Sequence, residues 1–401
     1  MPSINRIHAF HDEMTGWRRH LHSNPETAFE EHETSAYVAA RLRSFGHDVH
    51  QGLAGTGVVG TLAGSRSGPA IGLRADMDAL NIEEQSDLPY RSRHPGKMHA
   101  CGHDGHMTML LGAAKYLAET RNFAGTAHFI FQPAEENEGG GRKMVEDGLF
   151  KRFPVEGVYG LHNWPGQAFG TIALKAGPLM AAYDIFEIRV LGRGGHGAMP
   201  NETIDPVIIA AEIVGALQTI ISRTVHPVDA AVVSVTEIHG GDNWNVIPAE
   251  VVLRGTTRAF KTNVQDKIEA RVGEIARGIC EAHGATAALR YDRLYPPTVN
   301  SPAETELAAK AAVQVVGTND VIRDPMPSMA SEDFAFMLEA RPGSYVWLGT
   351  GNGANLHNPS YDFNDEILPI GASYWASLVE SVLAVEDGDK ASQRSGAIMA
   401  P

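Results

Sequence analysis

Through the first 180 residues, short apolar runs alternate with stretches whose apolar positions recur every three or four residues. Residues 58–62 and 70–74 predict strands, as do 126–131 and 155–161. Residues 105–120 predict a helix, with Met107, Leu110, Leu111, Ala114 and Leu117 at helical spacing. Strands separated by helices predict a mainly parallel or mixed α/β sheet covered on both faces. From Tyr183 the rhythm changes. A strand over 184–191 precedes a glycine-rich loop with Pro200, then a helix over 206–223. Strands over 230–238 and 250–259, a helix over 264–282 and a strand over 286–291 follow. The order β-α-β-β-α-β is that of a ferredoxin-like unit with both helices on one face. After Pro296-Pro297 the first rhythm returns, with a helix over 304–316, a strand over 345–348 and a helix over 370–385. The smaller unit therefore reads as an insertion. The expected division is 1–182 and 296–401 for an α/β catalytic domain, and 183–295 for the inserted domain. The polar tail from 386 to 401 is expected to fray.

Composition narrows the function. At 401 residues the chain exceeds one ordinary core. Hydrophobic residues at 43% and charged residues at 20% fit a soluble globular enzyme. A net charge of −15 repels phosphate backbones, so no nucleic-acid partner is expected. The two cysteines, Cys101 and Cys280, exclude a disulfide framework. Cys101 sits among histidines, which points to a reduced thiolate and a reducing compartment. Cys280 reads as a small buried hydrophobe on a helix. His8, His11, Asp12 and Glu13 break any export signal, and no run of 18 apolar residues occurs. The expected location is the cytoplasm, with no membrane partner.

Four segments carry ligand-type side chains. They are Cys101 and His103 in a polar loop, Glu135-Glu136 after strand 126–131, His162 after strand 155–161, and His357 in a glycine- and asparagine-rich loop. Sites in open α/β sheets gather beyond the carboxyl ends of strands, so residues distant in sequence can meet there. Thiolate and imidazole suit Zn, Mn, Co or Ni better than Mg or Ca. A doubled glutamate lets one carboxylate bind metal while the other moves protons. Spacing alone leaves His20, His22, His32, His94, His99 and His106 as competing ligands. Gly192-Arg193-Gly194-Gly195-His196-Gly197 fits a dinucleotide fingerprint, but Pro200 follows where a helix must open, and Glu212 falls mid-helix.

The order of motifs resembles the metal-dependent aminoacylase/carboxypeptidase family of di-metal hydrolases. More narrowly, it resembles the branch of hippurate hydrolases, auxin-conjugate amidohydrolases and N-acetyl-diaminopimelate deacetylases. The segments that carry the likeness begin with Trp17-Arg18-Arg19-His20-Leu21-His22 and Leu73-Arg74-Ala75-Asp76-Met77-Asp78. His99-Ala100-Cys101-Gly102-His103-Asp104, Gln132-Pro133-Ala134-Glu135-Glu136 and Gly160-Leu161-His162 follow. Gly195-His196-Gly197-Ala198-Met199-Pro200, Asn245-Val246-Ile247-Pro248, Ser331-Glu332-Asp333-Phe334 and Leu356-His357-Asn358 complete the set. The resemblance implies that Cys101, His103, Glu136, His162 and His357 hold two divalent transition-metal ions (Mn, Zn, Co or Ni), with Cys101 as the bridge. It implies Glu135 as general base and acid, His196 as an oxyanion donor from a lid or dimerisation domain, and Asn245 and Arg258 near the substrate. Asp76 and Asp78 would support the ligands from behind. The implied activity is hydrolysis of N-acyl amino acids, with aminopeptidase or dipeptidase action as the alternative. The implied assembly is a homo-oligomer, dimer or tetramer, formed through the inserted domain.

Overall fold

Six or more consecutive residues are buried at the ends of four strands, which only a sheet covered on both faces permits. These strands belong to the larger unit of the computed structural model, which describes residues 4–136 and 138–385. The predicted fraying of 386–401 lies outside the described residues.

The chain divides into two compact units. One comprises residues 1–177, 300–325 and 336–401, and the other 178–299 and 326–335. In the larger unit the strands are β1 (Asp48–Leu53), β2 (Gly57–Ala63), β3 (Arg66–Asp76), β4 (Ala124–Gln132), β5 (Gly157–Pro165) and β6 (Ile172–Ala173), with β15 (Val321–Ile322) and β16 (Gly343–Gly351) later in the chain. They form one sheet in the order β1-β2-β4-β3-β5-β16-β6-β15. The centre, β4-β3-β5-β16, is parallel, and β1 and β2 add antiparallel strands at one edge. The mixed sheet agrees with the periodicity. Its helices are α1 (Asn5–His8), α2 (His11–Ser23), α3 (His32–Ser44), α4 (His103–Thr120), α5 (Gly140–Glu146), α6 (Leu149–Arg152), α9 (Pro302–Val316) and α11 (Leu368–Val382). Helix α4 is buried along nearly its whole length and packs against α2 and α11. Its Met107, Leu110, Leu111 and Leu117 join one core with Phe129, Phe131, Val346 and Trp375. Each such side chain contributes roughly 1.5–3 kcal/mol on burial.

Helices α1 to α3 are not among the predicted elements. Ile7, Phe10, Met14, Trp17 and Leu21 do make a helical stripe there, and all are buried. The basic and imidazole side chains between them dilute the apolar signal, although Arg18 and His22 are themselves buried.

The smaller unit contains β7 (Gly177–Met180), β8 (Ala182–Leu191), β9 (Gly195–His196), α7 (Pro206–Thr219), β10 (Ala231–His239), β11 (Val246–Ile247), β12 (Glu250–Ala259), α8 (Thr262–Ala282), β13 (Thr286–Tyr295) and β14 (Thr298–Asn300). A further helix, α10 (Ala335–Ala340), follows in the chain. The four long strands form an antiparallel sheet in the order β10-β12-β8-β13. With α7 and α8 packed on it, this is the ferredoxin-like arrangement. The predicted helix over 206–223 stays α-helical to Thr219 and ends in a π turn, Ile220–Thr224. By length and composition this stretch could cross a membrane. Here Ile209, Ile213, Leu217 and Ile220 pack into the core of the smaller unit.

Candidate metal centre

Four parallel strands position the site residues. Asp76 ends β3 and Asp78 follows it; β4 ends at Gln132, just before Glu135 and Glu136. His162 lies on β5, and the loop beyond β16 carries His357. Cys101 and His103 arrive at the amino end of α4. Gly102 between them has φ +90°, and a Cβ there would lie 2.4 Å from the Asn163 Oδ1. Only glycine lets the thiol and imidazole flank that turn.

Among the described residues, ligand atoms of Cys101, His103 and His162 lie within 4.8 Å of one another, as do those of Cys101, Glu136 and His357. Cys101 is common to both groups. A third group joins His103, Glu135 and Glu136 within the same distance. The Cys101 Sγ stands 3.4 Å from His162 Nε2, and His357 Nε2 stands 3.2 Å from Glu136 Oε1. Thus the five expected ligands and Glu135 meet in one place, all within the larger unit.

Backbone carbonyls set the imidazole tautomers. The His103 Nδ1–H donates to the Asp78 carbonyl at 2.8 Å, and the His162 Nδ1–H donates to the Asn163 carbonyl at 2.6 Å. A carbonyl can only accept, so each Nδ1 carries a proton and Nε2 is the ring nitrogen left to face a ligand. The His103 Nε2 is buried with no hydrogen-bond partner. An unpartnered imidazole nitrogen beside a thiol and carboxylates fits a metal ion.

The electrostatics agree. Burial disfavours a charged His103, yet Asp76, Asp78 and Glu136 outweigh it and lift the imidazole to about 10. Burial, then Glu136, Glu135 and Asp76, push the Cys101 thiol well above its usual range. The cage is short of positive charge, and a divalent cation would supply it and hold the sulfur as thiolate. Against burial, His103, His106 and Arg74 hold the Asp76 carboxyl well below the usual carboxylate range.

Most of the competing histidines are otherwise engaged. Both ring nitrogens of His106 are occupied, 2.6 Å from Asp76 Oδ1 and 2.5 Å from Asn163 Oδ1. His22 lies between Asp104 at 2.8 Å and Glu84 at 3.4 Å. Burial works against its charge, but these carboxylates raise it to about 9. His94 donates from Nδ1 to the Pro25 carbonyl, and His20 stacks on Tyr37. His32 opens α3. His99 is buried with neither ring nitrogen partnered, and burial lowers it to about 4.

The loop carrying the two glutamates is clamped. Asp78 accepts the Glu135 amide at one carboxylate oxygen and the Glu136 amide at the other, each at 2.9 Å. The preceding amide, Ala134, donates to the Glu31 carboxylate at 2.9 Å. Burial and the Asp78 charge raise Glu31 to about 7. Asn163, Tyr361 and Glu31 carry no motif chemistry of their own, so sequence reasoning passes over them. Asn163 donates from Nδ2 to the Tyr361 hydroxyl at 2.7 Å and so braces the strand end behind His162. His357 has φ +62°, and its amide donates to the Ala100 carbonyl at 2.8 Å.

His196, Asn245 and Arg258 lie in the smaller unit. His196 pairs with Val246 in the short ribbon of β9 and β11, and the Gly197 amide donates to the Asn245 carbonyl at 2.7 Å. Arg258 lies over the Tyr183 ring at 4.1 Å. Its guanidinium donates to the Met329 and Thr257 carbonyls and to the Thr256 hydroxyl.

The profile of Peptidase family M20/M25/M40 matches residues 72–381. The chain is 43% identical to an N-acetyl-L-cysteine deacetylase of Bacillus subtilis, over 96% of this chain and 90% of that one. It is 42% identical to a hippurate hydrolase of Campylobacter jejuni, over 90% of this chain and 94% of that one. Among solved structures, a dinuclear metal binding peptidase from the M20 family of Bacillus subtilis superposes with a TM-score of 0.83 at 36% identity. That match covers 94% of this chain and 99% of the other.

Proposed function

The chain belongs to peptidase family M20/M25/M40 and is a hydrolase of amide C–N bonds, and we propose that its substrates are N-acyl amino acids. The observation that carries this reading is one thiol shared by two donor groups, with a second glutamate, Glu135, beside them. The relatives named for deacetylation of N-acetylcysteine and hydrolysis of hippurate support the substrate class.

Cys101, His103, Glu136, His162 and His357 would hold two divalent ions, and Mn, Zn, Co or Ni suit that donor set. Bound there, such ions supply polarisation of the scissile carbonyl and acidity to water. Glu135 then takes the proton of the attacking water on its carboxylate. It returns that proton to the amide nitrogen as the C–N bond breaks, leaving a carboxylic acid and a free amino acid. The Asp78 and Asn163 carbonyls keep both imidazoles in the tautomer that presents Nε2. On the strength of their motifs, we assign His196 to the developing oxyanion and Asn245 and Arg258 to the substrate. A cytoplasmic homo-oligomer, dimer or tetramer, built through the inserted unit completes the reading.

The test is a panel of N-acetyl and N-benzoyl amino acids and free-amine dipeptides, offered to protein reconstituted with each metal. Turnover of N-acyl amino acids that is lost on chelation is expected. Cleavage of dipeptides alone would overturn the substrate class, and His196→Ala with wild-type kcat would overturn the oxyanion role.

A further inference from the structure

Glu31 occupies the N-cap position of α3, yet its side chain makes no cap hydrogen bond. The open amides of a helix's first turn are the usual partners of such a residue. Instead the carboxylate turns inward and is fully buried. Its Oε2 accepts from the Thr56 hydroxyl at 2.7 Å. Its Oε1 accepts two amides, from Phe29 at 3.1 Å and from Ala134 at 2.9 Å. Phe29 has φ +60° and Ala134 φ +54°. Side chains other than glycine enter that region only against a steric penalty. Five non-glycine residues do so among the described residues, and one oxygen holds the amides of two of them.

Ala134 is followed directly by Glu135 and Glu136, whose amides end on Asp78. Three consecutive amides are thus fixed by two buried carboxylates from distant parts of the chain. Burying the Glu31 carboxylate costs solvation, and the hydrogen bonds it makes fall on the strained turns rather than on its own helix.

We propose that Glu31 is a positioning residue of the hydrolytic reaction: it holds the left-handed turn at Ala134 and thereby aims the Glu135 side chain, while the Glu136 amide stays on Asp78. This rests on the assignment of Glu135 as the proton carrier. Relaxing φ at Ala134 would swing Glu135, and a misplacement of about 1 Å can cost about 100-fold in rate.

The test compares Glu31→Ala, Glu31→Gln and Glu31→Asp in full-length, metal-loaded protein, with kcat, KM and bound metal measured for each on N-benzoylglycine. Gln keeps an acceptor for both amides and can donate to the Thr56 hydroxyl oxygen. Ala leaves both amides without an acceptor. Asp keeps the charge but withdraws the carboxylate by one methylene, and it decides the matter if the Ala variant does not fold. Expected are a kcat loss of about 30- to 100-fold for Ala, a smaller loss for Asp, and near wild-type kcat for Gln, with KM and metal content unchanged. Ala134→Gly, which adopts the left-handed turn freely, should restore part of the loss in the Ala or Asp background. Retention of kcat within threefold in the folded Ala or Asp variant, or a loss that follows metal content alone, overturns the proposal. Wild-type turnover in the same assay tests the substrate reading separately, because the Glu31 inference is read only as a ratio to it.

Discussion

Replacing Asp78 by Asn tests how much of the reaction depends on the backbone beneath the two glutamates. The Asp78 carboxylate accepts the Glu135 and Glu136 amides, one at each oxygen and each at 2.9 Å. An amide side chain offers one acceptor and one donor. Whichever way it is flipped, one buried N–H faces another N–H. The lost bond was to a charged group, worth about 1.5–3 kcal/mol. If the loop relaxes to escape the clash, the cost falls on alignment of Glu135. About 2–3 kcal/mol in the barrier then lowers kcat by roughly 30- to 150-fold. If the loop stays, the same cost appears in the free energy of unfolding. The backbone carbonyl of Asp78 still orients His103, but the side chain 3.5 Å from His103 Nδ1 loses its charge and the Glu136 amide is at risk of losing its acceptor, so bound metal is measured beside kcat. Asp78→Ala removes both acceptors and should cost about twice as much free energy. The assay pairs kcat on an N-acyl amino acid with urea unfolding and elemental analysis of bound metal. An Asn variant with full metal, kcat within threefold of wild type and unchanged unfolding would refute the reasoning.

Other outcomes follow from the same geometry. Glu135→Gln should keep its metal and lose about 100- to 10,000-fold in kcat, checked by elemental analysis beside steady-state kinetics. Cys101→Ala should lower bound metal below two ions per chain, since both donor groups share that sulfur, and titration with a chromophoric chelator reads this directly. Gly105→Ala would set a Cβ 2.1 Å from the Phe363 ring, and such overpacking should cost about 1–3 kcal/mol in urea unfolding. Acid should weaken the fold through His47 and His128, which burial lowers to about 4. Between pH 6.5 and 4 the unfolded chain binds protons that the folded chain refuses, so this stability is present above pH 6.5 and lost as pH falls to 4. Each imidazole accounts for about 3 kcal/mol, and His128→Gln should flatten part of the decline in unfolding free energy between pH 7 and pH 4.5.

Apolar periodicity in the sequence was enough to anticipate the parallel strands, helix α4 and the β-α-β-β-α-β order of the smaller unit, because burial writes a period into any element it covers. The donor types were also legible, since soft thiolate, imidazole and doubled carboxylate are chemically uncommon neighbours. What the linear pattern could not decide was which histidines were free. His22 and His106 sit in motifs as prominent as that of His103, but carboxylates and an asparagine side chain from other segments occupy their ring nitrogens. Likewise Glu31 is one more charged residue in a polar stretch of the sequence, and only folding sets it against Phe29, Thr56 and Ala134. Periodicity reports how much of a side chain is covered. Which atom it meets depends on where parallel strands, joined through long crossovers, bring their ends together, and that is fixed only in three dimensions.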